Sequence, residues 1–245
     1  EPREAAAFAV ARNSTLRHLK GRSVAVRGLV LSDLIEQGLY TRPIEMRPSA
    51  ADRPIMWDVI SQAPMSTQHA NARFLVPTLA RMEARTEFKP LSGASRSVDR
   101  PAGWALFMDG DVLVRGNLLD AAKDLDPAKA VYCVHHNHKP TSATKMDGQV
   151  QTTYSRKNWS SVCLFNVDHP SNVALTPSAV NMLLGRELHR FSWLKDEEIG
   201  ELSPEWNYLV GHTDPAIDPK VVHFTDGPPD MAGFGYSERI PGARY

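Results

Sequence analysis

Cysteine is scarce: Cys133 and Cys163 are the only two in 245 residues. Their separation matches no metal-site spacing. Both sit in apolar, strand-like runs, which predicts buried thiols and fits a reducing, cytoplasmic setting. Net charge is also absent, with 28 Lys plus Arg against 28 Asp plus Glu. That balance argues against a dedicated nucleic-acid binder or a polybasic membrane anchor. No apolar stretch is long enough to span a bilayer, and no signal peptide, internal repeat or low-complexity block is visible. Apolar residues make up 42% of the chain, enough for a core, and the length predicts one domain across residues 1–245.

Strand-like and helix-like segments alternate along the chain, which predicts an α/β fold with a mixed sheet. A helix is expected over Arg3–Leu19, with Ala5, Phe8, Ala9, Leu16 and Leu19 as its apolar stripe and Gly21 as its stop. A strand is expected over Ser23–Val30 and a short helix over Ser32–Gln37. Thr41–Met65, rich in Pro and Arg, reads as a surface excursion. Thr67–Met82 reads as a helix in which Pro77 forces a kink or a late start. Lys89–Gly103 reads as a polar loop. Further strands are expected at Ala130–Val134, Val162–Val167 and Lys220–Phe224. A helix over Pro177–Leu184 has Thr176 as N-cap and Pro at its first position.

The stretch Ala105-Leu106-Phe107-Met108-Asp109-Gly110-Asp111-Val112-Leu113-Val114 carries the chemistry. An apolar run halts at two carboxylates one residue apart, then resumes. Charges are rare inside a buried strand unless paired or bound to a cation. Residues i and i+2 of an extended segment face the same way, so Asp109 and Asp111 can converge on one ion. Gly110 permits a bend and leaves room for a ligand. Two hard oxygen ligands suit Mg²⁺ or Mn²⁺ together with a phosphate-bearing substrate. The chain holds its own control: Asp124-Leu125-Asp126 has the same spacing, but no strand leads into it, so it reads as a solvated helix end or turn.

Six other segments or residues matter. Val221-Val222-His223-Phe224 ends a late strand in a histidine able to add a nitrogen ligand to the two carboxylates. In Trp193-Leu194-Lys195-Asp196-Glu197-Glu198-Ile199 the acids suit either a helix start or a site. Trp206-Asn207, after Pro204, offers a flat apolar face and an amide, a mix that suits a sugar ring or a packed corner. Arg156, Lys157 and the hydroxyls before Val162 suit a diphosphate or a solvated loop. Arg73, amid apolar helical neighbours, needs a partner or a ligand. His135, His136 and His138 read as a loop lining a cleft rather than a zinc site.

Taken in order, these segments resemble retaining glycosyltransferases of the GT-A fold, most closely the family 8 type and its bacterial relatives. The resemblance runs through Pro2-Arg3-Glu4, Ser66-Thr67, Ala72-Arg73-Phe74, Asp109-Gly110-Asp111, Asn158-Trp159-Ser160-Ser161-Val162, Asp196-Glu197-Glu198-Ile199, Trp206-Asn207 and His223-Phe224. It implies a Rossmann-type mixed sheet flanked by helices, and a nucleotide-sugar donor, UDP-linked in such enzymes. It implies Mn²⁺ (or Mg²⁺) held by Asp109, Asp111 and His223. Arg73 matches a donor-binding arginine. Trp159, Ser160 and Ser161 match the strand start that meets the donor sugar. Asp196 and Glu197 match residues near the reacting carbon and acceptor. Lys157, Trp206 and Asn207 join the expected donor site. The acceptor is unassigned: a glycan, a lipid-linked sugar, a protein or a small molecule.

The chain departs from that pattern at three points. Trp159-Ser160-Ser161 stands where many relatives have Asn-Ala-Gly. The segment Thr225-Asp226-Gly227-Pro228-Pro229 lacks the lysine that grips the diphosphate in many relatives; either Lys157, Arg156 or Lys145 substitutes for it, or the phosphate is held by metal and backbone. The family's nucleotide-binding first strand is expected ahead of the first helix and is absent from the sequence. Two other classes fit parts of the pattern. A phosphatase of the haloacid-dehalogenase type would use Asp109 as nucleophile, with Asp226 and Asp230 as its later acids. A non-catalytic carbohydrate- or nucleotide-binding module would keep the fold without turnover.

Overall fold

The computed structural model describes residues 5–19, 24–48, 54–86, 103–137, 156 and 158–227. Most of the polar loop expected at Lys89–Gly103 lies outside them, as do Pro2-Arg3-Glu4 and Gly21. Helix α1 (Ala5–His18) buries Ala11, Ser14 and Thr15, while Phe8 and Leu16 are each 40% exposed. Only Leu19 of the expected stripe is fully buried, so the buried face is not the most apolar one. The reason is close packing on the strand Val112–Val114. Ser14 Oγ accepts the Val114 N–H at 3.1 Å and donates to the Ala11 carbonyl. Small side chains let the helix approach, and the hydroxyl satisfies a backbone donor that a larger apolar group would strand.

No strand forms at residues 24–30, where the Ser23–Val30 alternation predicted one; Val24 and Val30 are exposed, and no strand among the described residues pairs with the segment. Helix α2 (Leu31–Glu36) follows as expected. The Thr41–Met65 stretch has more regular structure than expected. Strands β1 (Ile44–Arg47), β2 (Ile55–Asp58) and β3 (Ala63–Pro64) form an antiparallel meander. A 3₁₀ turn at Ala72–Leu75 then leads into α3 (Val76–Thr86). Pro77 sits in the first turn of α3, where its missing N–H costs nothing, so the late start is realised.

Two mixed sheets hold the centre. In the first, β4 (Trp104–Met108) pairs antiparallel with β7 (Val162–Asn166). Next to β7 lies β6 (Val131–Cys133), also antiparallel, and β6 pairs in parallel with β8 (Ile199–Glu201). Every side chain at positions 162–165 is buried, as an apolar run at a sheet centre requires. In the second, β5 (Val112–Val114) runs antiparallel to β10 (Val221–His223), which pairs in parallel with β9 (Tyr208–Leu209). Helix α3 packs on β4 and β7, and α1 on β5. Short helices α4 (Pro170–Ala174), α5 (Pro177–Met182) and α6 (Gly185–His189) complete the layer; Thr176 Oγ caps α5 through the Ala179 N–H. The fold is the expected mixed α/β sheet flanked by helices.

Cys133 and Cys163 face each other across β6 and β7 as fully buried thiols. Burial pushes both thiols well above their ordinary pKa. Gly200 on β8 is needed for contact, because a Cβ there would overlap the Tyr132 ring. No helix among the described residues is long and apolar enough to cross a membrane.

Candidate metal and donor site

Asp109-Gly110-Asp111 is where the chain crosses from one central sheet to the other. Asp109 leaves β4 just after the Met108–Val162 pair, and its N–H donates to the Ser161 carbonyl at 2.9 Å. Asp111 enters β5 beside the Val112–His223 pair, and its carbonyl accepts the Phe224 N–H at 3.0 Å. The two carboxylates are thus brought together by a crossing rather than by one continuous strand. Gly110 is not in the left-handed region, and nothing lies within 4 Å of where a Cβ would be. Its contribution is open space rather than a special bend.

Asp109, Asp111 and His223 each offer one ligand atom, and these atoms lie within 4.8 Å of one another. His223 Nε2 is 3.4 Å from Asp111 Oδ1, with the imidazole buried and the carboxylate 31% exposed. Two carboxylates and an imidazole fit Mn²⁺ or Mg²⁺ in chemistry and in number, leaving positions for other oxygens. No other such group occurs among the described residues. His135 and His136 form no metal cluster, and His138 lies outside the described residues. Asp124, the first acid of the control copy, sits at φ 56° in an exposed turn, and Asp126 caps the Ala128 N–H, as a solvated turn should.

Arg73 is fixed before any ligand arrives. Its Nε donates to Ala70, one terminal nitrogen donates to the Ser160 carbonyl at 2.9 Å, and the guanidinium spans both oxygens of Asp109 at 3.0 and 3.3 Å. It also lies 5.0 Å over the Phe107 ring. A planar fork with several donors can hold all these positions at once, which a lysine cannot. The cation so placed can meet a second anion beside the carboxylates.

Other expected residues are held by contacts of their own. Ser160 Oγ bonds His189 Nδ1 at 2.8 Å, and Ser161 Oγ donates to the Asn158 carbonyl at 2.6 Å. Trp159 donates its indole N–H to the His136 carbonyl and stacks face to face with His135 at 4.0 Å. Burial lowers the His135 pKa, against the opposing pull of Glu201. Asp196 is exposed and pairs with Arg156 at 2.5 Å; Glu197 is exposed, and its carbonyl accepts from Lys129. Arg156 also donates to the Arg190 carbonyl and lies over Trp159, so its guanidinium is already engaged by groups outside the metal-ligand set. Lys157, Lys145 and Asp230 lie outside the described residues. Asp226 pairs with His212 at 2.9 Å.

Trp206 and Asn207 turn inward. Trp206 packs with Ala11, Val114 and Val221 in the core below α1, so its ring is spent on packing. Asn207 is fully buried, bonded to Ser161 Oγ and His223 Nδ1. The pattern Pro-x-Trp-Asn marks the packed corner that sequence allowed alongside a sugar site. Sequence reading missed His189 and the main-chain role of Asn158. Asn158 adopts φ 64° and Arg156 φ 62°. The Asn before Trp159 was the one local signal, since Asn tolerates the left-handed region.

No family model matches the chain. Solved structures similar to it include the WbbM bifunctional glycosyltransferase (15% identity, TM-score 0.48, covering 92% of this chain but 44% of that one). Galactosyltransferase LgtC, solved with donor and acceptor sugar analogues, is another (15% identity, TM-score 0.42, covering 90% and 83%). The chain thus spans less than half of the WbbM structure, and both superpositions are loose. The sequence relationship is much closer: Protein CDI of Arabidopsis thaliana is 36% identical over 234 residues, covering 94% of this chain and 76% of the plant protein. Identity at that level over nearly the whole chain means that it belongs to the same family as Protein CDI.

Proposed function

We propose that the protein is a glycosyltransferase of GT-A type that moves a sugar from a nucleotide-diphosphate donor, UDP-linked, to an acceptor hydroxyl with retention of configuration. The observation that carries this reading is the convergence of Asp109, Asp111 and His223 beside a fixed Arg73 at the junction of two sheets. Its support is that these residues are also the ones by which the sequence resembles family 8 enzymes. Residues 1–245 belong to one domain, and the two buried thiols fit a cytoplasmic setting.

A divalent ion, Mn²⁺ or Mg²⁺, would be held by Asp109, Asp111 and His223 and would neutralise the charge that develops on the leaving diphosphate. Arg73 supplies a second positive charge at the same place, pre-oriented by Ala70 and Ser160. The segment Trp159–Ser161 borders the donor sugar. Asp196 and Glu197, both exposed, are assigned to the acceptor side. No residue is assigned as a covalent nucleophile.

A thermal-shift panel of nucleotide-sugars with and without Mn²⁺ tests the reading. Further stabilisation by a nucleotide-sugar is expected only when Mn²⁺ is present with it. By mass action it amounts to about 2.7 kcal/mol at about 100 times the dissociation constant. A panel in which no nucleotide-sugar shifts the melting temperature in Mn²⁺ would count against a transferase and for a degenerate module. Stabilisation by phosphate analogues alone, with Asp109 trapped as a beryllium fluoride adduct, would point to the phosphatase class.

A further inference from the structure

We infer that Asn207 is a positioning residue that sets the tautomer of His223 and so aims Nε2 at the metal. This rests on the reading of Asp109, Asp111 and His223 as a divalent-cation site. The inference comes from a chain of hydrogen bonds whose directions follow from the donors and acceptors along it. The Ser161 hydroxyl has one proton, and it donates that proton to the Asn158 carbonyl at 2.6 Å. Its oxygen must therefore accept from Asn207 at 2.9 Å, so the group of Asn207 facing it is the amide NH₂. The Asn158 carbonyl, 3.4 Å from the same nitrogen, also requires a donor there.

With Nδ2 so committed, Asn207 can present only its carbonyl oxygen to His223. That oxygen lies 3.0 Å from Nδ1. It accepts, so Nδ1 must carry a hydrogen, and the neutral ring keeps its lone pair on Nε2. Nε2 is the atom on the Asp111 side, 3.4 Å from Oδ1. A flipped amide would offer N–H to Nδ1, move the ring proton to Nε2, and direct a hydrogen at the place where the metal binds. Asn207 is fully buried, as is nearly all of His223 and Ser161, so water is poorly placed to substitute for the amide.

Long-range ¹H–¹⁵N correlation spectra of the metal-free protein test this directly, with His223 assigned by comparison with His223→Gln. The wild type is expected to show the Nδ1–H form of His223. Asn207→Leu is expected to shift His223 toward the Nε2–H form and to weaken Mn²⁺ binding, measured by electron paramagnetic resonance, by about 10–100-fold. Asn207→Asp keeps an acceptor at Nδ1 and is expected to restore the Nδ1–H form. Ser161→Ala frees the amide to flip and is expected to give a mixture of forms with intermediate Mn²⁺ affinity. It carries the test if the Asn207 variants do not fold. A wild-type His223 in the Nε2–H form, or variants that leave both tautomer and Mn²⁺ affinity unchanged, would overturn the inference. Failure of the wild type to bind Mn²⁺ would instead overturn the metal site, because the tautomer is read without metal.

Discussion

Asp111→Asn is expected to abolish metal-dependent turnover of a nucleotide-sugar while leaving the fold in place. The substitution removes one charge and one hard oxygen ligand at nearly constant shape. Outer-shell changes alone typically cost 10–100-fold in metal affinity, so loss of a direct ligand should cost more than about 100-fold. The backbone role of the residue is retained, because its carbonyl still accepts the Phe224 N–H that ties β5 to the end of β10. The melting temperature without ligand should therefore change little. Mn²⁺ titration followed by a turnover assay checks both halves of the expectation. Full activity in the variant would remove Asp111 from the site.

The second large effect concerns the fold. Arg42→Met is expected to destabilise the protein by about 3–5 kcal/mol, a large part of the ~5–15 kcal/mol that holds most domains folded. Arg42 is 6% exposed. One terminal nitrogen donates to the carbonyls of Val180, Asn181 and Leu183 at 2.9, 3.2 and 2.7 Å, where α5 ends. The other meets Asp58 at 2.5 Å and Ser61 at 3.1 Å. Ser61 in turn bonds Asp58 and accepts the Gly185 N–H at the start of α6. One guanidinium thus joins the meander to two helices. Its removal leaves a buried carboxylate unpaired and helix-end carbonyls unmet. Urea denaturation measures the loss. The double replacement Arg42→Met with Asp58→Leu should cost less than the single change, since no lone charge remains. A single-variant loss under about 1 kcal/mol would show that the pair is replaceable, as exposed pairs are.

These two residues mark what sequence did and did not disclose. Asp109 and Asp111 were legible because a long apolar run broke at them and resumed, a local signal that the Asp124–Asp126 copy lacks. His223 was legible from its position at the end of an apolar strand. Arg42 was not, because its partners lie 16 and about 140 positions away and no local pattern announces them. The meander it anchors was missed for the same reason: its strands are two to four residues long and mostly half exposed, so they carry no clean alternation. The absent strand at residues 24–30 shows the converse, since alternation without a partner strand forms no ladder. In α1 the most apolar face lost to Ser14 and Thr15, because close approach and a hydrogen bond to Val114 favoured small polar groups. Trp206 and Asn207 were recognised as special, but their composition cannot say whether they face a sugar or the core.

Calorimetry of UDP binding to the wild-type protein, run once with Mn²⁺ and once with excess EDTA, tests the central claim most directly. The site described above predicts binding with Mn²⁺, none with EDTA, and none in Asp111→Asn under either condition. Equal binding in EDTA, or no UDP binding in Mn²⁺, would contradict a metal-dependent nucleotide-sugar site at Asp109, Asp111 and His223.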